Sequence, residues 1–246
     1  GEITGMDRAF GKLRDSLREQ GIAEDTILWY CSDNGGLPEV GSTGGRGHKA
    51  DIYEGGLRVP AILEWPSHIP EPRVTSLPCN TCDFFPTLLD IAGIHLDPQP
   101  PLDGVSLVPL ISGGMEKRGQ GMGFWEYPAK GISTPSKEIM AELYEAQKEG
   151  KRTTRPELLR LNADKIEKQY PTDTFPGHAA WLEWPLKLHR IELKEGEVVF
   201  ELYDLEADPM EKNDLLSEQE GESAGLKQRL NDWQVSVVNS LNGDDY

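Results

Sequence analysis

Cysteine is scarce in this chain of 246 residues: Cys31, Cys79 and Cys82 are the only three. An odd count with one Cys79-Asn80-Thr81-Cys82 pair is not a disulfide framework. It is half a zinc site, since no second pair and no His-x-x-x-His follows. The pair reads as ordinary half-buried thiols or as metal or redox ligands. Long apolar runs are also missing. Nothing approaches the roughly 18–20 residues that a membrane helix requires, so no membrane span is expected. Positive charge is in deficit: 25 Lys and Arg stand against 42 Asp and Glu, a net charge of −17. Such a chain repels a phosphate backbone, and no nucleic-acid partner is expected. The acidic balance supports solubility and attracts cations. No signal-like segment follows Gly1, where a helix pattern begins almost at once. We read the chain as truncated, so its start says nothing about localisation.

What is present suffices for a core, since 37% of residues are hydrophobic and 8% aromatic, against global disorder. Met6, Phe10, Leu13 and Leu17 recur at helical spacing, closed by Gly21. Thr26 to Cys31 is a short apolar run. A helix followed by such a run predicts the α-to-β step of a parallel sheet buried on both faces. The run stops at Ser32-Asp33-Asn34-Gly35-Gly36, and the ends of strands are where open α/β sheets bind ligands. Residues 35–56 form a glycine-rich loop of a length usually functional or disordered. Val59 to Leu63 predicts a strand. Phe84, Phe85, Leu88, Leu89 and Ala92 predict a helix stopped by Gly93. Residues 98–123, crowded with proline and glycine, predict a surface connection. A helix is expected over 137–150, then a charged, weakly patterned stretch over 151–177. Leu186–Ile191 and Val198–Leu205 predict a hairpin turning at Lys194–Glu197. Leu226, Leu230, Trp233 and Val237 mark a final helix face.

Asp33 and Asn34 offer oxygen ligands suited to a hard cation such as calcium, which takes about six to eight of them. Two residues cannot supply that number, and Ser-Asp-Asn-Gly is also good turn chemistry. Both readings stand on the motif alone. Lys49, beside His48 and near Arg46, lies in a stretch from Gly41 to Ala50 without carboxylates. That suits a phosphate- or sulfate-binding loop, though no Walker spacing occurs. The alternative for Lys49 and for His48 is a solvated surface side chain.

These residues resemble a known family. Thr26 to Gly35 looks like the second metal motif of the sulfatases, and residues 47–60 look like their segment Gly-x-Lys-x-x-x-x-Glu-Gly-Gly-x-Arg-Val-Pro. Residues 83–93, 103–110 and 201–211 resemble the segments that follow, the last being the C-terminal signature. Five such segments occur in the same order, spread over most of the chain. The resemblance implies that Asp33 and Asn34 are two ligands of an active-site calcium ion and that Lys49 contacts the substrate's sulfate. His48, at a variable position of the motif, is a weaker substrate-binding candidate. We expect Glu54 and Arg58 to hold the loop and its packing. The family's nucleophile is a formylglycine made from Cys/Ser-x-Pro-Ser/Ala-Arg, normally far upstream. Cys79–Cys82 does not match it. Ser133-Thr134-Pro135-Ser136-Lys137 ends in lysine and lies downstream, so it reads as a helix entry.

The expected fold is therefore an α/β sandwich of the alkaline-phosphatase-like kind, incomplete for want of its N-terminal half. A small C-terminal α+β subdomain carries an antiparallel sheet. Residues 1–127 are assigned to the catalytic domain, 128–180 to an insertion or lid, and 181–246 to a hairpin packed on a helix. The expected parent hydrolyses sulfate esters on a small molecule or glycan, most readily a carbohydrate, with calcium and an upstream formylglycine. The resemblance implies a periplasmic or secreted protein. This chain alone is expected to be inactive, to bind calcium weakly, and to melt without a sharp transition because an edge strand is uncovered. Two alternatives remain: a phosphate mono- or diester hydrolase on the same scaffold, or a non-catalytic carbohydrate-binding derivative. Trp181 and Trp184 would then stack sugars, where core or lid packing is their ordinary use.

Overall fold

The computed structural model describes residues 1–38, 44–97, 99–127, 136–151 and 170–245. Helix α1 spans Glu2–Glu19 and, as its spacing predicts, points Met6 and Phe10 toward Tyr30, with the Phe10 and Tyr30 rings edge to face at 5.1 Å. Strand β1 covers Leu28–Cys31 and β2 covers Ala61–Glu64. The two pair antiparallel, Leu28 opposite Glu64 and Cys31 opposite Ala61. This corrects the parallel step expected from the sequence. A parallel crossover needs a long connection that returns the chain to its starting end, usually through a helix. Here the two ends of the 32–60 connection are stitched together, Ser32 N donating to Pro60 O at 3.3 Å and Gly35 N to Gly56 O at 2.8 Å. The only helix described inside it is α2, Glu54–Leu57.

Helix α3, Phe84–Ala92, follows a short 3-10 turn at Thr81–Asp83. Asn80 and Asp83 form a reciprocal capping box at that turn, which satisfies backbone donors that would otherwise be orphaned. Gly93 ends α3 in the left-handed region at φ 64°, a conformation that favours glycine. The stretch expected as surface connection is more than that. Leu107 and Ile111, at the start and end of helix α4 (Val108–Ile111), are buried, and Arg118 makes a two-pronged ion pair with the fully buried Asp83 at 2.7 and 2.8 Å. The periodicity of so short a stretch could not show that a side chain dips inward.

The C-terminal part is a four-stranded antiparallel sheet in the order β3 (Met122–Glu126), β4 (His178–Glu183), β5 (Leu186–Glu192), β6 (Val198–Asp204). The expected hairpin is β5–β6. Strands β3 and β4 extend it, so the sheet draws on residues at either side of the boundaries expected at 127 and 181. Helix α6, Glu220–Leu241, covers one face. Because side chains alternate across a strand, Ala179, Trp181, Leu188 and Leu202 meet Leu226 and Leu230 on that face. The opposite face carries Met122, Leu182 and Tyr203, packed with Tyr53 and Phe124, together with Lys187, His189 and Glu201. Helix α5 spans Ser136–Lys148. About half of the expected insertion falls outside the described residues, as do residues 133–135 of the helix entry and residues 39–43 of the glycine-rich loop.

Candidate active site

The Asp33–Asn34 turn sits where β1 ends. Asn34 donates from Nδ2 to Gly35 O at 2.9 Å, and Ser32 Oγ donates to Asn34 O at 3.2 Å. An Asx turn would spend the Asp33 carboxylate on a nearby backbone amide. Asp33 is exposed, and its carboxylate has neither hydrogen bond nor ion pair among the described residues. Both its oxygens, and the Asn34 Oδ1, face no protein donor. That suits a hard cation, with other ligands needed: no group of three or more His, Cys, Asp or Glu side chains placed to hold a metal occurs among the described residues.

The lysine segment lies directly against this turn. Lys49 N donates to Gly36 O at 2.8 Å, and the Gly35–Gly56 bond closes the other side. The approach demands glycine: a Cβ on Gly35 would stand 1.8 Å from Gly55 O, and one on Gly56 would stand 2.1 Å from Asp51 O. The exposed Lys49 side chain has no carboxylate partner among the described residues. So Asp33, Asn34 and Lys49, separated in sequence, sit on two chain segments joined by backbone hydrogen bonds. His48 is turned onto its own loop. Its backbone N–H bonds Asp51 Oδ2 at 2.8 Å, and its ring Nδ1 lies 2.9 Å from Lys49 O and 3.4 Å from Asp51 Oδ2.

A second group of residues escapes the sequence reading. Behind the lysine segment, Lys187 and His189 of β5 are fully buried, as is Glu211. Lys187 Nζ lies 2.9 Å from Glu54 Oε1 and 3.1 Å from Glu211 Oε1, and His189 Nε2 lies 2.8 Å from the same Glu211 oxygen. Glu54 N donates to Glu211 Oε2 at 2.7 Å. Arg46 reaches Glu201 Oε2 at 3.3 Å, Tyr203 Oη at 3.0 Å and Glu211 O at 3.2 Å, and stacks over the Tyr53 ring. Tyr53 and Tyr203 both donate to Glu201 Oε2, at 2.8 and 2.9 Å. Burial and that shared carboxylate raise both phenols, Tyr203 to about 12, so both stay protonated donors. Burial lowers His178 to about 4 and drives His189 further down, with the Lys187 charge adding to it; their rings touch at 2.9 Å, so both are neutral near pH 7. The sequence signal was present in the alternation Leu186-Lys187-Leu188-His189, which looks like one core face and one wet face. The second face is not wet because the lysine segment covers it.

Glu54 therefore holds the loop, as expected. Arg58 does not: it is exposed, and its guanidinium has no hydrogen bond or ion pair among the described residues. Arg58 follows the four-residue helix as its C-cap, in extended backbone. The Cys79–Cys82 pair bears no sign of a redox or metal role. Packing around the thiol raises Cys79 to about 11, with the Asp83 charge adding to it even though the residue is exposed, and Cys82 is raised for the same reasons. Both thiols stay protonated, and the thiolate is the reactive and metal-binding form. Trp181 is a core residue and Trp184 is partly exposed.

Comparison with known proteins bears on this arrangement. The sulfatase family model matches residues 1–94, which contain Asp33, Asn34, His48 and Lys49. This part of the chain is similar to the sulfatase family. Steryl-sulfatase of Mus musculus is 34% identical over 125 residues, 47% of this chain and 20% of that protein. The chain thus spans about a fifth of the length of the curated relatives it matches. Among solved structures, Ps i-CgsB superposes with a TM-score of 0.67 at 19% identity, covering 98% of this chain and 46% of that one. BT4656, solved with its substrate D-glucosamine-2-N,6-O-disulfate, superposes with a TM-score of 0.58 at 21% identity, covering 99% of this chain and 41% of that one. At these identities the likeness speaks for the fold, in which the C-terminal sheet and helix accompany the matched region.

Proposed function

We propose that this chain forms part of a sulfate-ester hydrolase and supplies the sulfate-facing lysine and two oxygen ligands of its metal site. Asp33 and Asn34 would hold a calcium ion through side-chain oxygens, with the rest of the ligand set and the formylglycine nucleophile coming from outside this chain. Bound calcium supplies Lewis acidity to a sulfate oxygen and orients the reactants. Lys49 binds a second sulfate oxygen and offsets the charge that grows on it as the S–O bond breaks. No carboxylate pairs with Lys49 among the described residues, which leaves its side chain available to an anion. Gly35, Gly55 and Gly56 let the two backbones approach closely, which supports one tetrahedral anion meeting both groups. A sulfated sugar is the favoured substrate, because BT4656, which acts on one, superposes over nearly the whole chain.

One observation carries this reading: the Gly36–Lys49 and Gly35–Gly56 hydrogen bonds join the Asp–Asn turn to the lysine segment. The test is sulfate release from an aryl sulfate by the longer enzyme that includes this chain. Asp33→Ala and Lys49→Ala should each lower kcat/KM by about 100-fold or more, the usual scale for lost transition-state charge stabilisation. His48→Ala, whose ring is turned onto its own loop, should cost less than about tenfold. Unchanged hydrolysis in Lys49→Ala would overturn the reading. The chain alone should release no sulfate, and calorimetry should show calcium binding no tighter than micromolar.

A further inference from the structure

We propose that Glu211 is a positioning residue for Lys49, gripping the lysine segment at both of its ends from the C-terminal sheet. The proposal rests on the reading of Lys49 as the sulfate-binding cation. The segment that carries Lys49 runs from Arg46 to Glu54. At its first end the Arg46 guanidinium donates to Glu211 O at 3.2 Å; at its last, Glu54 N donates to Glu211 Oε2 at 2.7 Å. One residue thus uses its main-chain carbonyl on one end and its carboxylate on the other. The segment closes on itself between those points, Gly55 N donating to Arg46 O at 2.6 Å. Lys49 lies inside the closed loop with its own N–H fixed to Gly36.

Glu211 is itself held from behind. Its Oε1 meets Lys187 and His189, both fully buried, and Lys187 in turn reaches Glu54. The Glu211 carboxylate thus has buried partners of its own, and Lys49 is not among them. The backbone of Glu211 has φ 51°, in the left-handed region that a side chain with a Cβ adopts rarely. Such a conformation persists where the surroundings over-determine it, and it concentrates at sites where geometry matters. Here it accompanies a carbonyl and a carboxylate that bind the two ends of one loop.

The consequence is that the C-terminal subdomain, which contributes no reacting group to the proposed chemistry, sets where the lysine stands. Displacement of a catalytic charge by about 1 Å can cost on the order of 100-fold in rate. A residue that only stabilised the subdomain would loosen the whole sheet when removed. A positioning residue loosens the lysine segment and leaves the sheet intact.

Amide hydrogen exchange on this chain separates the two. In Glu211→Ala, exchange at Lys49, Glu54 and Gly55 should accelerate about tenfold or more, while Leu188 and Leu202 stay within about twofold, since local opening is resolved residue by residue. Glu211→Gln keeps an oxygen for Glu54 N and should recover most of the protection. Where Glu211→Ala does not fold, Arg46→Met frees the first end, and the same acceleration at Gly55 and Lys49 is expected. Unchanged exchange in the lysine segment, or equal acceleration across the sheet, overturns the proposal. In the longer enzyme, Glu211→Ala should lower kcat for an aryl sulfate about 10–100-fold with little change in KM, and Glu211→Gln should restore it. An equal loss in both variants overturns it as well. Active Lys49→Ala enzyme would instead remove the sulfate reading and leave the exchange result standing.

Discussion

Helices α1 and α6 are both long and both carry an apolar stripe, yet they end in opposite situations. α1 buries none of its residues, and Ile3 is 79% exposed. α6 buries Ser223, Leu226, Leu230, Gln234 and Val238. The contrast extends to the sheets beside them. All four residues of β1 are half-buried and Ile62 of β2 is 65% exposed, whereas Leu188 and Leu202 of the C-terminal sheet are inaccessible. An amphipathic pattern selects which side of an element is apolar. Whether that side is covered depends on what the rest of the chain brings to it. The four-stranded sheet and α6 cover one another, and the two-stranded sheet with α1 and α3 leaves apolar surface such as Phe85 and Leu88 open. The lysine segment stands between the two regions, tied to β1's end by backbone and to the C-terminal sheet by a buried polar network.

That contrast can be broken in several ways. The largest effect is expected at a buried ion pair of the open region. Arg118→Ala leaves the buried Asp83 carboxylate without its charge partner, which should cost about 3–5 kcal/mol locally; exchange at the α3 and Val105 amides reads it, and a loss below about 1 kcal/mol would mean the region is loose already. Next, Leu202→Ala should lower the stability of the C-terminal unit by about 2–5 kcal/mol, seen as a fall in the denaturant midpoint. A smaller effect comes from pH. His178 has its folded pKa depressed to about 4 from the ordinary 6.5, so the unfolded chain takes up its proton first as pH falls. Its contribution is intact above about pH 6.5 and is lost between there and pH 4, worth about 2 kcal/mol after allowance for its partial exposure. Urea unfolding at pH 7 and pH 4.5 measures the loss, and His178→Gln should flatten it. The smallest effect is expected on α1. Leu13→Ala should change stability by no more than about 0.5 kcal/mol, because an uncovered side chain leaves no cavity. A loss comparable to that of Leu202→Ala would show that α1 packs more firmly than its exposure implies.

Much of the arrangement was legible from residue order. The apolar run from Leu28 to Cys31, the stop at Gly93, the β5–β6 hairpin and the amphipathic C-terminal helix each follow from local spacing. The Asp33–Asn34 turn and Lys49 stood out through residue type and through the glycines around them. What local spacing missed was partnership. It suggested a parallel sheet because a helix preceded β1, but the direction of β2 depends on how the chain returns through Pro60 and Gly56. It selected Trp233 and Val237 for the face of α6, where Gln234 and Val238 are the more buried. It put Arg58 to work holding the loop, whereas that task falls to Glu54, Arg46 and Glu211. Lys187 and His189 looked like solvent-facing residues because nothing in β5 alone reveals a loop some hundred and thirty positions earlier.

By itself, the order of residues determined the long helices and the strands β1, β2, β5 and β6, where the chain must turn tightly, and which motifs carry the sulfatase likeness. These depend on backbone preference and on side chains a few positions apart. The tertiary structure decided which apolar faces are covered, that β1 and β2 run antiparallel, and that a buried carboxylate at Glu211 clasps the lysine segment. Those outcomes rest on contacts between distant segments, whose strength comes from excluding water and pairing charge, and no local pattern specifies them.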